Sequence, residues 1–337
     1  MNIVEFADHL NLSIGTVSRA LNDRPEVSAK TRRRVLEKAE ELGFVRNGNA
    51  RRLATGLNLM IRLECPYNTH ILSDRYLVEM ARAVEEAAGA YDYDLLLHLG
   101  TRRRDAATEI QAVDGLVIIA TPETTADDLQ TLTRSGRLPA VVIAGATPLD
   151  FPDASYVCLD TRPGVRQALD LLARLGHRRV GYVGSRDAGH LRGSLPGLLA
   201  DAGLVWDPML AVEAGTSQAE GRDAALHLLG LADPPTALFA RTDVLASGAI
   251  QAAHSLGLSV PDDVSIIGHD NVEVAALVSP PLTTVAIDIP EVASAAVGAL
   301  MAMISEKAPP SLQRLGTHLI VRRSCGPAPV RAASAPR

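Results

Sequence analysis

Aromatic residues and cysteines are both scarce in this chain of 337 residues. Phenylalanine, tryptophan and tyrosine make up 3% of the sequence, which argues against a ligand site built from several stacked rings. The three cysteines, Cys65, Cys158 and Cys325, lie far apart and show no metal-ligand spacing. We therefore expect buried free thiols in a reducing cytoplasm, with neither a disulfide framework nor a metal site.

Signals for export, membrane insertion and catalysis are also missing from the sequence. Met1 is followed by Glu5 and Asp8 instead of a basic segment and an apolar run, so no signal peptide is expected. No apolar stretch approaches the length that spans a bilayer. The motifs G-x-G-x-x-G, G-x-x-x-x-G-K-[ST], HExxH and G-x-S-x-G do not occur, and the glycines of GYVGSRDAG are interpreted as turn residues. We expect a cytoplasmic protein that is not an enzyme and uses no cofactor.

The net charge of −6 conceals an asymmetry between the two ends of the chain. Residues 1–56 carry ten basic and seven acidic side chains, so the acidic excess lies entirely in the remainder. A basic segment attached to an acidic body favours local contact with phosphates. The N-terminal segment is therefore the candidate nucleic-acid contact.

Three short helical patterns occupy the N-terminal segment. Apolar side chains recur at i, i+3, i+4 and i+7 in the first of them: Ile3, Phe6, Ala7 and Leu10. Asn11 tolerates the left-handed backbone of a sharp turn, and Ser13 is a good N-cap for a second helix. A third helix is expected from Ser28 to Leu42. The first two helices predict a helix-turn-helix, whose second helix enters the DNA major groove. The simpler alternative is a three-helix packing module.

From Leu57 onward the sequence alternates strand and helix patterns. Apolar runs such as GLVIIA and AVVIAG lack alternation, which is typical of strands buried on both faces of a parallel sheet. Strands are predicted at 58–64, 94–98, 113–120, 139–144, 179–184, 236–240, 263–268 and 317–322. Helices are predicted at 74–88, 161–175, 218–229, 244–256 and 290–304. This order predicts doubly wound α/β sheets.

Specific motifs in the N-terminal segment point to a known family. The chain resembles the lactose-repressor/galactose-repressor family of bacterial transcription regulators in TVSRALN, PEVSAKTRRRVLEKAEELGF and NGNARRLATG, and more weakly in the rest. The resemblance implies an all-α helix-turn-helix headpiece at 1–45, a hinge helix at 46–56 and a periplasmic-binding-protein-like effector domain at 57–325. That domain would comprise one subdomain at 57–159 and 289–317 and another at 160–288 and 318–325. Residues 326–337, rich in Pro and Ala, are expected to be disordered.

In this family the recognition helix, the following helix and the hinge contact DNA. The resemblance directs three residues toward base edges, namely Ile14, Gly15 and Arg19, of which Gly15 offers only room. It directs six toward the phosphate backbone: Ser13, Thr16, Ser18, Asn22, Ser28 and Thr31. The hinge contributes Asn47, Ala50 and Leu53, of which Leu53 would wedge into the minor groove and bend the duplex. The alternative for Ile14 is packing in the headpiece core.

The body motifs FARTDVLASGA, VPDDVSIIGHDN and SPPLTTV also resemble the family. Asp270 corresponds to an aspartate that accepts hydrogen bonds from effector hydroxyls, and it follows a strand, where ligands of open α/β sheets bind. Its alternative role is an N-cap for the next helix. The further effector candidates are Asp160, Thr242, Asp243, Arg192, Tyr67 and Asp74, with capping favoured for Asp243 and equally possible for Asp160. Arg192 matches the family pattern only approximately, and the loop that carries Tyr67 and Asp74 could equally be a solvated surface loop.

Together these features predict a homodimeric regulator, most simply a repressor, that binds double-stranded operator DNA. The resemblance implies that a small polar metabolite, such as a sugar or sugar derivative, controls operator affinity from the cleft of the body. No membrane partner is expected. A periplasmic solute-binding protein is the rival interpretation of residues 57–325 alone, but neither the headpiece nor the lack of a signal peptide fits it.

Overall fold

The computed structural model describes residues 3–21, 26–42, 56–66, 74–98, 113–134, 136–184 and 189–330. It divides into two compact units, the headpiece (Met1–Leu59) and the body (Met60–Arg337). The unit boundary at Leu59 lies close to the end of the hinge expected at 46–56.

The headpiece contains the three predicted helices, α1 (Ile3–Leu10), α2 (Ile14–Leu21) and α3 (Ala29–Glu41). The turn between α1 and α2 passes through Asn11, whose φ of 50° lies in the left-handed region that asparagine tolerates. The three helices bury one small apolar core: Phe6, Ala7, Leu10, Val17, Ala20, Leu21, Val27 and Val35. Arg34 also ties α3 to α1, because its Nη2 donates to the carbonyl oxygen of Leu10 at 3.1 Å. The helix-turn-helix prediction is thus confirmed in its described part.

The body is built from strands and helices that alternate along most of the chain. Its strands are β1 (Met60–Glu64), β2 (Asp94–Leu97), β3 (Gly115–Ile119), β4 (Ala140–Ala144), β5 (Ser155–Asp160), β6 (Val180–Val183), β7 (Ala211–Val212), β8 (Ala237–Ala240), β9 (Ser265–Asp270), β10 (Thr283–Ala286), β11 (Leu312–Gly316) and β12 (His318–Ile320). Its helices are α4 (Arg75–Gly89), α5 (Ala126–Leu132), α6 (Arg162–Arg174), α7 (Gly189–Asp201), α8 (Gln218–Leu229), α9 (Asp243–Ser255), α10 (Val274–Leu277) and α11 (Ile289–Met301).

The strands form two six-stranded sheets. The first sheet has the order β11-β5-β4-β3-β1-β2 and the second the order β12-β10-β9-β8-β6-β7. All pairs are parallel except β10 with β12. In the second sheet, one face packs against α8 and α9 and the other against α6 and α7. The predicted doubly wound parallel architecture is therefore confirmed.

The chain passes between the two sheets three times, at 161, 287–288 and 317. The first and third passages are joined directly. The hydroxyl of Thr317 accepts the backbone N–H of Gly164 at 3.2 Å and donates to the carbonyl oxygen of Thr161 at 3.0 Å. We call each sheet together with the helices packed on it a layer of the body. Three adjacent passages of chain allow the two layers to rotate relative to each other about these passages.

Helix α11 returns from the second sheet to cover the first. Together with the π-helical turn Ala302–Glu306 it is, within the described residues, the one helix long and apolar enough to span a bilayer, which corrects the expectation that no apolar stretch approaches that length. Its apolar side chains instead pack against α4, β3, β4 and β5, and Val292, Ala296 and Leu300 are buried. The apolar composition is accounted for by this core position.

Two helices of the second sheet cross at unusually short range. An ideal Cβ built on Gly248 of α9 would lie 2.1 Å from the carbonyl oxygen of Gln218, and one on Gly221 of α8 would lie 2.4 Å from that of Leu245. Because no side chain fits between these backbones, glycine is required on both helices.

The C-terminal tail was predicted to be disordered from residue 326, but its first residues are bonded to the body. The backbone N–H of Gly326 donates to Ser265 Oγ at 3.0 Å, and that of Ala328 donates to the carbonyl oxygen of Leu175 at 2.8 Å. The carbonyl oxygen of Gly326 is also 3.1 Å from Nε2 of the fully buried His177. Residues 326–328 therefore belong to the folded body, and 331–337 lie outside the described residues.

Candidate DNA-binding surface and effector cleft

Helix α2 presents the base-reading candidates on its solvent side. Ser13 caps the helix, since its Oγ accepts the backbone N–H of Thr16 at 3.1 Å and lies 2.8 Å from Thr16 Oγ1. Ile14 is 46% exposed and takes no part in the headpiece core, so the core-packing alternative for Ile14 is wrong. Ile14, Gly15 and Arg19 are all solvent-exposed, as contact with base edges requires.

The side chain of Arg19 lies along the helix over Gly15. An ideal Cβ on Gly15 would be 3.5 Å from Arg19 Nη2 and 3.8 Å from Cζ. These are ordinary contact distances, so the guanidinium packs directly over this turn of the helix without requiring glycine there. This arrangement places a planar five-donor group on the exposed face, where it can pair with a guanine edge.

The start of α3 offers a second polar surface. Ser28 Oγ accepts the backbone N–H of Thr31 at 3.2 Å and lies 2.9 Å from Thr31 Oγ1. Arg33, on the same helix, is exposed and pairs only loosely with Glu37 at 3.9 Å. Exposed hydroxyls and cations at a helix N-terminus suit phosphate oxygens.

Several predicted site residues fall outside what the structure describes. For Asn22, Asn47, Ala50, Leu53 and Tyr67 neither backbone nor side chain is described. Ser18 and Arg192 lie in α2 and α7, but their side chains are not described. Their assignments stay predictions from the sequence.

In the body, Asp270 ends β9 at the carboxyl edge of the second sheet. Its φ is 104°, and Asn271 follows with 61°, so the backbone turns sharply as it leaves the strand. The side chain is buried, and Oδ1 lies 2.8 Å from Nδ1 of His269. Helix α10 begins only at Val274, with Glu273 at its N-cap position, so the capping alternative for Asp270 is wrong.

Asp243 and Thr242 have structural roles at the start of α9. Thr242 is the N-cap and accepts the backbone N–H of Leu245 at 3.2 Å, which corrects the expectation that Asp243 caps the helix. Asp243 is fully buried; its Oδ1 accepts from Thr284 Oγ1 at 2.5 Å and its Oδ2 from the backbone N–H of Val272 at 2.9 Å. Burial, reinforced by Asp270, raises the pKa of Asp243 to about 8. Its carboxyl group supports the loop after β9, so its assignment as an effector contact is corrected.

Asp74 faces Asp270 from the other sheet. It caps α4 by accepting the backbone N–H of Leu77 at 3.3 Å. Burial raises its pKa, the charge of Asp270 raises it further and the charge of Arg241 opposes the shift. The pKa of Tyr76 is raised above its usual range by burial and then by Asp270, again opposed by Arg241. Asp74 and Tyr76 from the first sheet therefore lie within electrostatic range of Asp270 and Arg241 from the second, and we call these four residues the cleft residues.

Arg241 and Tyr76 were not identified from the sequence. Arg241 follows β8 directly, so its position at a carboxyl strand end was a usable signal. Its Nε is buried and makes no hydrogen bond within the described part of the chain. A buried donor of this kind needs a further acceptor, which a water molecule or a ligand oxygen can supply.

Asp160 lies apart from these interactions. Both its oxygens accept from the guanidinium of Arg162, at 2.8 and 2.7 Å, and Oδ1 also accepts the Arg162 backbone N–H at 3.1 Å. The hydrogen bond from Arg162 is the main reason why the pKa of Asp160 is lowered. Asp160 therefore organises the first passage between the sheets.

A buried charge network on β1 was also missed. Arg62 and Glu64 are 4% and 6% exposed, and their side chains pair at 3.0 Å between Nη2 and Oε2. His98 Nδ1 lies 2.9 Å from the other oxygen of Glu64. Buried charges need such partners. The strand was predicted, but the apolar pattern carried no hint of this pairing.

Comparison with known proteins establishes the family. Residues 2–47 match the domain described as "Bacterial regulatory proteins, lacI family", and residues 169–325 match a periplasmic binding protein-like domain. The HTH-type transcriptional regulator AglR of Rhizobium meliloti is 32% identical over 98% of this chain and 96% of its own length. The chain belongs to the lacI family. It is a DNA-binding transcriptional regulator, and the resemblance inferred from its motifs is confirmed.

Other LacI-family proteins are similar to this chain over most of their length. The HTH-type transcriptional regulator DegA of Bacillus subtilis is 33% identical over 86% of this chain and 87% of its own. Among solved structures, a complex of the transcriptional regulator CelR with cellobiose superposes with a TM-score of 0.69 at 25% identity. That superposition covers 96% of this LacI-family chain and 99% of the other.

Proposed function

We propose that this regulator is a cytoplasmic, homodimeric repressor without enzymatic activity that binds a pseudo-palindromic operator. The exposed face of Ile14, Gly15 and Arg19 supports sequence reading by α2. A single headpiece with so few base-reading side chains makes too few contacts alone, and two copies would read two half-sites about one helical turn apart. Leu53 of the hinge would enter the minor groove between them.

The DNA part of the proposal is tested by Arg19→Ala. Loss of a bidentate guanine contact should cost roughly 1–3 kcal/mol and relax the preference at one base pair of each half-site. Lys38→Ala is the matched control, because Lys38 lies near the other end of α3 and pairs with Glu41. Footprinting and operator titration at fixed salt are the measurements. Unchanged sequence preference in Arg19→Ala would refute the docking.

Leu53→Ala tests the hinge contact in the same titration. Specific binding should weaken strongly, whereas nonspecific binding, which depends on phosphate contacts, should hardly change. Equal operator affinity in this variant and the wild type would leave the hinge as a plain connector.

We further propose that the cleft residues bind a small polyhydroxylated effector, a sugar or sugar derivative. The observation that carries this proposal is the convergence of Asp74 and Tyr76 from the first sheet with Asp270 and Arg241 from the second. Carboxylates accept from hydroxyls and the guanidinium donates to ring or hydroxyl oxygens. The similarity to the CelR–cellobiose complex makes a disaccharide the natural first probe.

The effector part is tested by calorimetric titration of the full chain with a carbohydrate panel that includes cellobiose. Asp270→Asn should weaken binding of a positive sugar at least about tenfold, because a charged hydrogen-bond partner is lost. Asp262→Asn, at an exposed position of the same subdomain, is the control. Equal affinity in Asp270→Asn and the wild type would exclude Asp270 from the site.

A further inference from the structure

One hydrogen bond joins the two layers of the body away from the three passages of chain. Glu79 Oε1, on α4 of the first layer, accepts the backbone N–H of Glu273 at 2.9 Å, although 194 residues separate them in sequence. Glu273 lies three residues after Asp270, in the loop that links β9 to α10. The hydrogen bond therefore crosses from one layer to the other at the cleft that the cleft residues line.

The loop at 270–273 is fixed firmly to the second layer. Val272 donates its N–H to the buried Asp243, and Asn271 Oδ1 accepts from Arg322 Nη2 at 2.7 Å. Val272 itself is 2% exposed. With both sides of the turn held, the loop moves as part of the second layer and carries the Glu273 N–H with it.

Helix α4 is fixed just as firmly to the first layer. Leu77, Met80 and Val84 are buried, and the helix packs against α11 and β1. Glu79 is half-buried beside this anchored face. The distance from Glu79 Oε1 to the Glu273 nitrogen therefore measures how far the two layers have closed on each other.

Closure at this edge also brings two acidic side chains together. Asp74 begins α4 and Asp270 begins the loop, so the walls joined by Glu79 carry facing carboxyl groups. Arg241 lies near both Asp74 and Tyr76 and offsets part of the repulsion. The hydrogen bond from the Glu273 N–H to Glu79 adds an attraction between the same two walls.

We infer that Glu79 is a positioning residue that latches the two layers through the Glu273 N–H and holds Asp270 opposite Asp74 before any effector binds. This inference rests on the proposed effector cleft. Because an effector binds the closed form, the apparent dissociation constant equals the intrinsic one divided by the closed fraction. Removing the latch lowers that fraction and weakens effector binding without touching the effector.

The latch is tested first without ligand, by amide hydrogen exchange of the full-length protein. Glu79→Ala removes the acceptor and should speed exchange at the Glu273 amide about fivefold, the net effect of one hydrogen bond at a solvent-exposed position. Glu79→Gln keeps an acceptor oxygen and should restore slow exchange. Glu86→Ala, at an exposed position on the same helix, should behave as the wild type. Equal exchange in Glu79→Ala and the wild type would refute the latch.

The second measurement is calorimetric titration with cellobiose. Glu79→Ala should weaken apparent affinity by the factor by which the closed fraction falls, with Glu79→Gln close to the wild type and the melting temperature of the body unchanged. Faster exchange with unchanged cellobiose affinity would overturn the positioning role, as would failure of Glu79→Gln to restore it. If the wild type takes up no cellobiose, the proposed sugar effector fails for that sugar, and exchange at Glu273 alone decides on the latch.

Discussion

The close crossing of α8 and α9 makes Gly248→Ala a demanding test of the second sheet. The added methyl group would lie 2.1 Å from the carbonyl oxygen of Gln218 and 2.6 Å from the backbone nitrogen of Arg222. Both atoms belong to the backbone of α8, so no side-chain rotation removes the overlap. The two helices must move apart, and contacts of Leu245, Ala249 and their neighbours in the core loosen with them.

The expected size of the effect follows from two opposing contributions. Alanine is favoured over glycine inside a helix by about 1 kcal/mol, so the substitution would stabilise a helix with open space. Overpacking of a well-packed core costs typically about 1–3 kcal/mol, and a backbone overlap this short belongs at the upper end or above. We expect Gly248→Ala to lower the free energy of unfolding by roughly 2 kcal/mol.

Gly298→Ala provides the matched control on α11. The nearest atom outside that helix would be Tyr91 Oη at 3.9 Å, an ordinary contact, so only the helix-propensity gain remains. Urea unfolding followed by circular dichroism should move the midpoint of the body down for Gly248→Ala and slightly up for Gly298→Ala. A Gly248→Ala protein as stable as the wild type would show that the helices do not cross at this range.

Three further predictions follow from buried polar groups. The pKa of Asp243 is raised to about 8 in the fold, so between about pH 4 and 8 the native state keeps a proton that the unfolded chain has lost. Stability should therefore fall as pH rises through that window, by up to about 1.4 kcal/mol per pH unit, and urea unfolding at several pH values should show a flatter profile for Asp243→Asn. Burial raises the pKa of Cys65 to about 12, so a thiol reagent at pH 8 should label Cys65 only after denaturation; rapid native labelling would contradict the burial. Thr317→Val removes the hydroxyl that joins Gly164 and Thr161, and should cost about 1–3 kcal/mol in thermal or urea unfolding, with no loss expected if the hydroxyl is dispensable.

The parts of the fold that sequence predicts are those with strong local signals. Strands β3 and β4, which are buried apolar runs, are confirmed with bounds that differ from the predicted ones by no more than two residues. The same holds for the capped helices α4 and α8. Strands β5 and β10 were missed because their short stretches, SYVCLD and TTVA, carry polar side chains that are buried only by neighbouring strands. Edge strand β11 shows almost no burial and gives no pattern to detect.

Helix α7 is not among the helices predicted from the apolar pattern, for a different reason. Pro196 and three glycines lie within Gly189–Asp201, so local propensity argues against a helix that tertiary packing nevertheless forms. Leu195 and Leu199 supply that packing, each 1% exposed.

The candidate site likewise contains residues that the sequence predicts and residues that it does not. Asp270 and Asp74 were found because strand ends and helix starts are visible in a sequence, whereas Asp243 was misassigned because burial is not. The meeting of Tyr76 with Arg241, and of Glu79 with Glu273, depends on the relative placement of two sheets. No periodicity or motif within one segment encodes a contact over such separations.

The return of α11 to the first sheet has a consequence for synthesis on the ribosome. Strands β1 to β5 are complete once residue 160 has emerged, but the helix that covers β3, β4 and β5 begins at Ile289 and the edge strand β11 ends at Gly316. At about 5–20 residues per second, the intervening stretch takes roughly 6–26 seconds to translate. During that interval the apolar side chains that α11 will later cover have no native partner, so the nascent chain is most exposed to aggregation after half of its length has been made. A fragment that stops after β5 should for the same reason be insoluble unless the segment 289–316 is supplied with it.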